Sequence, residues 1–160
     1  MKIRVGHGYD VHAFGSGNHI TLGATEIPFS QGIIAHSDGD VLLHALCDAL
    51  LGALALGDIG EHFPDQDPQY KGISSLLLLQ RCHSLVIEKG WQVGNIDITV
   101  IADNPKISPY KLNMITEISK ALNIGRDQIN IKGTTSEKLG FVGRQEGLAV
   151  HATVLLLSNA

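Results

Sequence analysis

Apolar and polar residues alternate along residues 2–14, the period of two that sends successive side chains to opposite faces of a strand. The run Gly15-Ser16-Gly17-Asn18 predicts a turn, and residues 20–29 predict a second strand or hairpin arm interrupted by Gly23. No period is visible over residues 30–40, which predict a loop. From residue 40 or 41 to about residue 56, Leu and Ala dominate at helical spacing, with Ser37 or Asp40 available to cap the start. Residues 57–72 are polar and punctuated by Gly, Pro and Asp. They predict a long loop, a feature usually tied to function or disorder. A second helix is expected over residues 74–89, closed by Gly90. The β-branched stretch 91–102 predicts a strand, residues 103–109 a loop, and residues 110–122 a third helix. The last strands fall at 129–133 and 148–157, with a Gly-rich loop between them. Neither an internal repeat nor a linker interrupts this order. It predicts one α+β domain over residues 1–160, a sandwich of a single mostly antiparallel sheet with helices on one face.

Composition narrows the function classes. With 44% apolar and 18% charged residues among 160, the chain is suited to burying a core and unlike a disordered segment. Aromatics are only 5%, so that core must rest on aliphatic side chains. The low charged fraction also points to a buried face between copies of the chain. A net charge of −4 without a basic stripe argues against nucleic-acid binding. Any phosphate chemistry then requires a metal or backbone donors. Cys47 and Cys82 lie in apolar helical stretches and form no C-x-x-C pair, so they read as reduced core thiols in a reducing compartment. The start of the chain lacks the apolar segment of a signal peptide, and the apolar stretch 41–56 is interrupted by His44 and Asp48 and too short to span a bilayer. The expectation is a cytoplasmic protein without a membrane partner.

The polar residues inside these elements carry the candidate chemistry. Asp10 and His12 stand two apart on the first strand and share a face. His44 stands between Asp40 and Asp48 at four-residue steps, a polar stripe on an apolar helix. Asp10, His12 and His44 offer one carboxylate and two imidazoles, three ligands that leave a tetrahedral ion one open position. One flanking aspartate would orient His44. A hydrogen-bonded His–Asp network without metal is the alternative reading of the same residues. The segment His36-Ser37-Asp38-Gly39-Asp40 enters the helix, where backbone N–H groups attract phosphate, or serves as an ordinary cap. Gly57-Asp58-Ile59-Gly60 and Phe63-Pro64-Asp65 read either as acceptors for a polyol or as solvated turns. In residues 133–141, three successive hydroxyls and Glu137 beside glycines suit phosphate and a second metal, or form a polar connection between strands. Arg144 and Glu146 read as a solvated pair.

Taken in order, Gly6-His7-Gly8-Tyr9-Asp10-Val11-His12, Ala35-His36-Ser37-Asp38-Gly39-Asp40, Gly57-Asp58-Ile59-Gly60 with Phe63-Pro64-Asp65, and Thr134-Thr135-Ser136-Glu137-Lys138-Leu139-Gly140-Phe141 form a signature. Together they resemble the 2-C-methyl-D-erythritol 2,4-cyclodiphosphate synthase family across residues 3–157. The resemblance implies a homotrimer with active sites between subunits, acting in the mevalonate-independent isoprenoid pathway. It implies conversion of a CDP-linked methylerythritol 2-phosphate to the cyclodiphosphate and CMP. It further implies that Asp10, His12 and His44 hold zinc and that Glu137 lies at a magnesium or manganese ion. His36 and Thr135 would stabilise the transition state. Ser37, Asp58, Gly60 and Asp65 would face the methylerythritol side, and Ile59 and Phe63 would also bind the substrate. Ala102, Pro105, Lys106 and Thr134 would face the cytidine, and Phe141 and Arg144 complete the binding set. Val142 and Gln145 stand where the resemblance leads one to expect Thr and Gly. A phosphohydrolase using the same ions, or a binding protein with a structural zinc, are the competing classes. The first would need a general base beside the open position, for which Asp38 and Asp40 are the available carboxylates. The second would need a fourth ligand.

Overall fold

A computed structural model describes residues 1–158; the last two positions of the expected domain, Asn159 and Ala160, lie outside the described residues. The longest strands form the centre of the fold. Strand β1 (Ile3–Gly15) runs antiparallel to the final strand over the register Ile3↔Leu157 to Ala13↔Gly147. Between them in sequence lie the hairpin β2 (His19–Leu22) and β3 (Thr25–Pro28), the two-residue β4 (Gly32–Ile33), helix α1 (Val41–Ala53) and the one-turn α2 (Ile59–His62). They are followed by α3 (Ser75–Glu88), β5 (Trp91–Ile101), α4 (Lys111–Leu122), β6 (Ile129–Thr134), the one-turn α5 (Gly140–Gly143) and β7 (Gly147–Ser158). The main sheet has the order β4-β1-β7-β5-β6, antiparallel except for β5 and β6, which pair in parallel. That parallel pair needs a crossover, which α4 supplies. The expected sandwich is therefore observed, with one refinement: β2 and β3 form a separate two-stranded ribbon.

Alternation along the strands explains which face is covered. On β7, Leu148, Val150, Ala152, Val154 and Leu156 are buried. On β5 the buried set shifts from Val93 to Ile96, Ile98 and Val100 because a bulge between Val93 and Asn95 inserts one residue and resets the period. On β1 the buried positions of the same face are Gly6, Gly8 and, near its end, Phe14. A Cβ on Gly6 would lie 1.9 Å from the Ala49 carbonyl oxygen, and one on Gly8 1.8 Å from that of Ala45. Helix α1 thus lies with its small residues directly against the strand backbone. It is buried nearly all round, as expected of a helix enclosed by β1, β7 and α3.

The start of α1 is set by Asp40, which is fully buried. Its carboxylate accepts from the Leu43 N–H at 3.0 Å and from Gly23 and Ala24 N–H at 2.9 and 2.7 Å. Gly23 and Ala24 both have φ near +55° to +58°, the left-handed pair of a tight hairpin turn. One side chain therefore caps a helix and closes the β2–β3 turn. Burial pushes the Asp40 carboxyl up to about 6, against the opposing pull of these backbone N–H groups.

Two expected loops contain structure. Residues 30–40 include β4, which extends the sheet edge through Phe14↔Ile33. Residues 57–72 include α2, capped by Asp58, and a 3-10 turn at Pro68–Tyr70. Both segments are too short to show a hydrophobic period, so the sequence pattern leaves them unmarked. The contact between β1 and α1 is directly testable. Gly8→Ala is expected to lower stability by about 3 kcal/mol or more, because a backbone atom must move. Gly52→Ala on the same helix, where the nearest foreign atom is 3.9 Å from the added carbon, should be neutral or stabilising. Urea unfolding of both variants in the presence of a chelator measures the difference.

Candidate metal centre and substrate cavities

The inward row of β1 that begins with Gly6 and Gly8 continues as Asp10 and His12. The glycines let α1 approach, and the approach brings His44 over the strand. His12 Nδ1 and His44 Nδ1 each lie 3.3 Å from Asp10 Oδ2, and the two imidazole rings are 5.3 Å apart at a tilt. One ligand atom from each of the three residues falls within 4.8 Å of the others. Asp10 Oδ2 and His12 Nδ1 are buried without a hydrogen-bond partner among the described residues. Such orphaned groups cost about 1–3 kcal/mol each. Their atoms converge on a shared point without the alignment of a hydrogen bond, so a divalent cation fits this donor set. Burial alone would raise the Asp10 carboxyl, but the imidazoles of His12 and His44, each 3.3 Å away, outweigh it and hold Asp10 below the usual carboxylate range. Burial likewise disfavours charge on His44, yet the Asp10 carboxylate overrides it and raises that imidazole.

The far side of His44 differs from expectation. Its Nε2 faces Ser75 Oγ at 2.8 Å and Ser37 Oγ at 3.2 Å. Asp40 directs its oxygens to the hairpin turn and the helix start, and Asp48 Oδ1 accepts the Ile59 N–H at 2.7 Å. The stripe fans because each step of four residues turns about 40° beyond a full helical turn. Asp48 instead ties α2 to α1. Burial raises its carboxyl, and the Ile59 N–H opposes this.

Above the triad opens a cavity of about 270 Å³. One rim carries His36 and Ser37 from the segment before α1, and the other carries Ile59, Gly60, Phe63 and Asp65 from the segment after it. Asp58 is not among the residues lining this cavity; its Oδ1 accepts the Glu61 N–H at 2.9 Å at the α2 start. Tyr70, which the sequence did not single out, also lines this cavity. A second cavity, about 200 Å³, gathers Ala102, Pro105 and Lys106 with Thr134 and Thr135. His36 and Thr135, both expected to stabilise the transition state, thus belong to different cavities of one chain.

Besides Asp58, three expected residues stand apart from both. Phe141 lines an apolar hollow of about 220 Å³ with Tyr9 and His151. Arg144 is exposed and its Nε donates to Glu146 at 2.8 Å, which raises the guanidinium and lowers the carboxyl. Glu137 has φ +55° on the loop after β6, with its N–H donating to Thr135 Oγ1 at 3.2 Å. Gln145, standing where Gly was expected, has φ +57°. The left-handed backbone there is the physical reason a glycine suits the position. Ser75, which the sequence did not mark, reaches the cluster directly, its Oγ 2.8 Å from His44 Nε2. Its position beside Ser74 at a helix start carries only the signal of a cap.

Comparison with known proteins agrees with this arrangement. Residues 3–157 match the model of the YgbB family. The 2-C-methyl-D-erythritol 2,4-cyclodiphosphate synthase of Azotobacter vinelandii is 59% identical over 156 residues, covering 98% of this chain and 99% of the relative. The synthase of Pseudomonas aeruginosa strain UCBPP-PA14 is 58% identical over 157 residues, covering 98% of this chain and all of the relative. Among solved structures, the bifunctional IspDF of Campylobacter jejuni superposes with a TM-score of 0.94 at 46% identity, covering 98% of this chain, which spans 42% of that longer protein. The CDP complex of IspF from Plasmodium falciparum gives 0.87 at 38% identity, covering 99% and 97% of the two chains. Full-length identity of this order, on a fold that assembles the Asp10–His12–His44 cluster, leads to one conclusion: the chain belongs to the YgbB family, whose relatives matched here are 2-C-methyl-D-erythritol 2,4-cyclodiphosphate synthases.

Proposed function

We propose that the protein closes 4-diphosphocytidyl-2-C-methyl-D-erythritol 2-phosphate to 2-C-methyl-D-erythritol 2,4-cyclodiphosphate, releasing CMP, as a phosphorus–oxygen lyase of the non-mevalonate isoprenoid pathway. The observation that carries this reading is the convergence of one donor atom each from Asp10, His12 and His44, with Asp10 Oδ2 and His12 Nδ1 lacking a hydrogen-bond partner among the described residues, at a cavity in a chain of this family. An oxygen of the substrate's own 2-phosphate forms the new bond to the β-phosphorus, and the bond from that phosphorus to the CMP oxygen breaks. The chain need supply no nucleophile. Both cysteines are buried, and Cys47 is raised far above a reactive thiol by burial and by its neighbour Cys82.

Asp10, His12 and His44 would hold zinc, and Glu137 would hold magnesium or manganese. Those ions would offset the charge of two anionic groups brought together. The residues' own work is alignment, which converts ring closure into an orientation problem. Ser37, Asp58, Ile59, Gly60, Phe63 and Asp65 are assigned to the methylerythritol portion, with His36 directed at the phosphates. Ala102, Pro105, Lys106 and Thr134 are assigned to the cytidine, with Thr135 at the diphosphate and Phe141 and Arg144 completing the set. The CDP complex of the Plasmodium falciparum relative supports a nucleotide ligand. A homotrimer would join the two cavities, which lie apart in one chain, across subunit boundaries. Support comes from the outer face of β1, where Ile3 and Val5 are 62% and 65% exposed and Tyr9 and Val11 stand beside them. No described helix is long and apolar enough to cross a membrane, and a cytoplasmic, single-domain enzyme acting on a small molecule rather than a nucleic acid is the reading we adopt.

Phosphorus NMR of the products from the CDP-linked substrate tests the reaction. A cyclic diphosphate with CMP is expected, whereas an open-chain hydrolysis product would assign the chain to the phosphohydrolases. His44→Ala should lose bound zinc and nearly all turnover while keeping its fold, and full zinc occupancy by metal analysis would refute the ligand assignment. Glu137→Gln should keep zinc but lose about 10²-fold or more in turnover, with a blunted magnesium response. A magnesium titration of CMP release reads this out, and a wild-type titration curve would return Glu137 to the status of a polar loop residue. In sedimentation the active species should be a trimer, and an active monomer would sink the shared-site reading.

A further inference from the structure

We propose that Ser75 and Asp38 form a hydrogen-bond relay that decides which nitrogen of His44 is free to bind a metal, making them positioning residues for the centre. The inference rests on the metal reading of the Asp10–His12–His44 cluster and goes beyond its three ligands. Ser75 is fully buried, and its Oγ lies 2.8 Å from His44 Nε2. The same hydroxyl donates to Asp38 Oδ1, while Asp38 Oδ2 accepts the Ser75 N–H at 2.9 Å. Asp38 is itself pinned. Its N–H donates to the Ile73 carbonyl at 3.3 Å, and its Oδ1 accepts the Asp40 N–H at 3.2 Å.

Proton counting along this chain gives the direction. A hydroxyl has one hydrogen, and a carboxylate oxygen offers none. The Ser75 hydrogen is committed to Asp38, so Ser75 Oγ meets His44 as an acceptor. His44 Nε2 must then carry the hydrogen, which in a neutral imidazole leaves the lone pair on Nδ1. Nδ1 is the nitrogen that lies 3.3 Å from Asp10 Oδ2. The opposite tautomer would direct an N–H at Asp10 and close the site to a cation. Ser37 Oγ also lies near Nε2, at 3.2 Å, and receives the Gly39 N–H. Its contact to the ring is longer and it lines the cavity, so Ser75 is the anchor and Ser37 remains available to a ligand. The relay also binds the start of α3 to the segment carrying His36, since the Gly72 N–H donates to the His36 carbonyl at 3.0 Å.

The first test needs no variant. In the zinc-free protein in mildly alkaline buffer, nitrogen-15 NMR of His44 should show the Nε2–H tautomer. The second test is zinc affinity by competition with a chromophoric chelator, with the thermal transition of the metal-free protein as the folding control. Ser75→Ala is expected to bind zinc about 10–100-fold more weakly, the usual cost of losing a group that orients a ligand imidazole. Ser74→Ala, at an exposed position that makes no side-chain cap, should bind as wild type. An Nδ1–H tautomer in the wild type, or wild-type zinc affinity in Ser75→Ala, overturns the relay. Wild-type protein that binds no zinc would instead overturn the metal reading, a result distinct from equal binding by both forms. Should Ser75→Ala fail to fold, the wild-type tautomer decides.

Discussion

Helix α1 touches the backbone of β1 without intervening side chains, and the rest of the molecule is arranged around that contact. Protein interiors are close-packed, so the distance between a helix and a sheet is set by the side chains between them. Here Gly6 and Gly8 provide none, and Ala45 and Ala49 add little. The same strand row that omits side chains at Gly6 and Gly8 then presents Asp10 and His12. A helix held farther off would leave His44 out of reach of both. The mostly apolar surface of α1 holds this geometry in place, and two polar groups on it, His44 and Asp48, are turned to the site and its rim.

Bringing these polar groups indoors has a cost that the fold meets in two ways. Asp40 and Asp38 are satisfied by backbone and hydroxyl donors, and each joins segments distant in sequence. Asp40 unites the β2–β3 turn with the start of α1, and Asp38 unites the loop before α1 with the start of α3. Asp10 Oδ2 and His12 Nδ1 have no hydrogen-bond partner among the described residues. The contrast separates structural carboxylates from the carboxylate of the candidate metal centre within a single small region. It also argues for a centre whose geometry exists before any ion arrives, since the partners that fix the His44 ring belong to the chain.

The two cavities divide the recognition problem by chemistry. One pairs polar loop residues with the Asp10–His12–His44 cluster, and the other is framed by backbone-rich segments after β5 and β6. The parallel pairing of β5 and β6 brings Ala102 beside Thr134, whose carbonyl accepts the Ala102 N–H at 3.0 Å. A substrate with an anionic centre and a nucleobase at one end suits such a division. The exposed apolar row on β1 supplies a physical reason for copies of the chain to assemble along the sheet.

Much of this was legible in the residues alone. Period-two strands at both ends, the apolar helix that became α1 and the D-x-H pair are local patterns, and local sterics and burial determine them. The ordered motifs added the family, because so many weak signals in one order are specific together. The partners of His44 were not legible. A polar stripe at four-residue steps suggests Asp40 or Asp48, yet the hairpin turn and α2 claim those carboxylates, and Ser75 arrives from another helix. The short α2 and β4 were equally silent, being too brief for a period. Sequence patterns determined which residues face inward and which carry chemistry. Only the tertiary structure decided which polar groups meet, because a hydrogen bond between residues 31 apart depends on how whole helices pack and not on the neighbours of either residue.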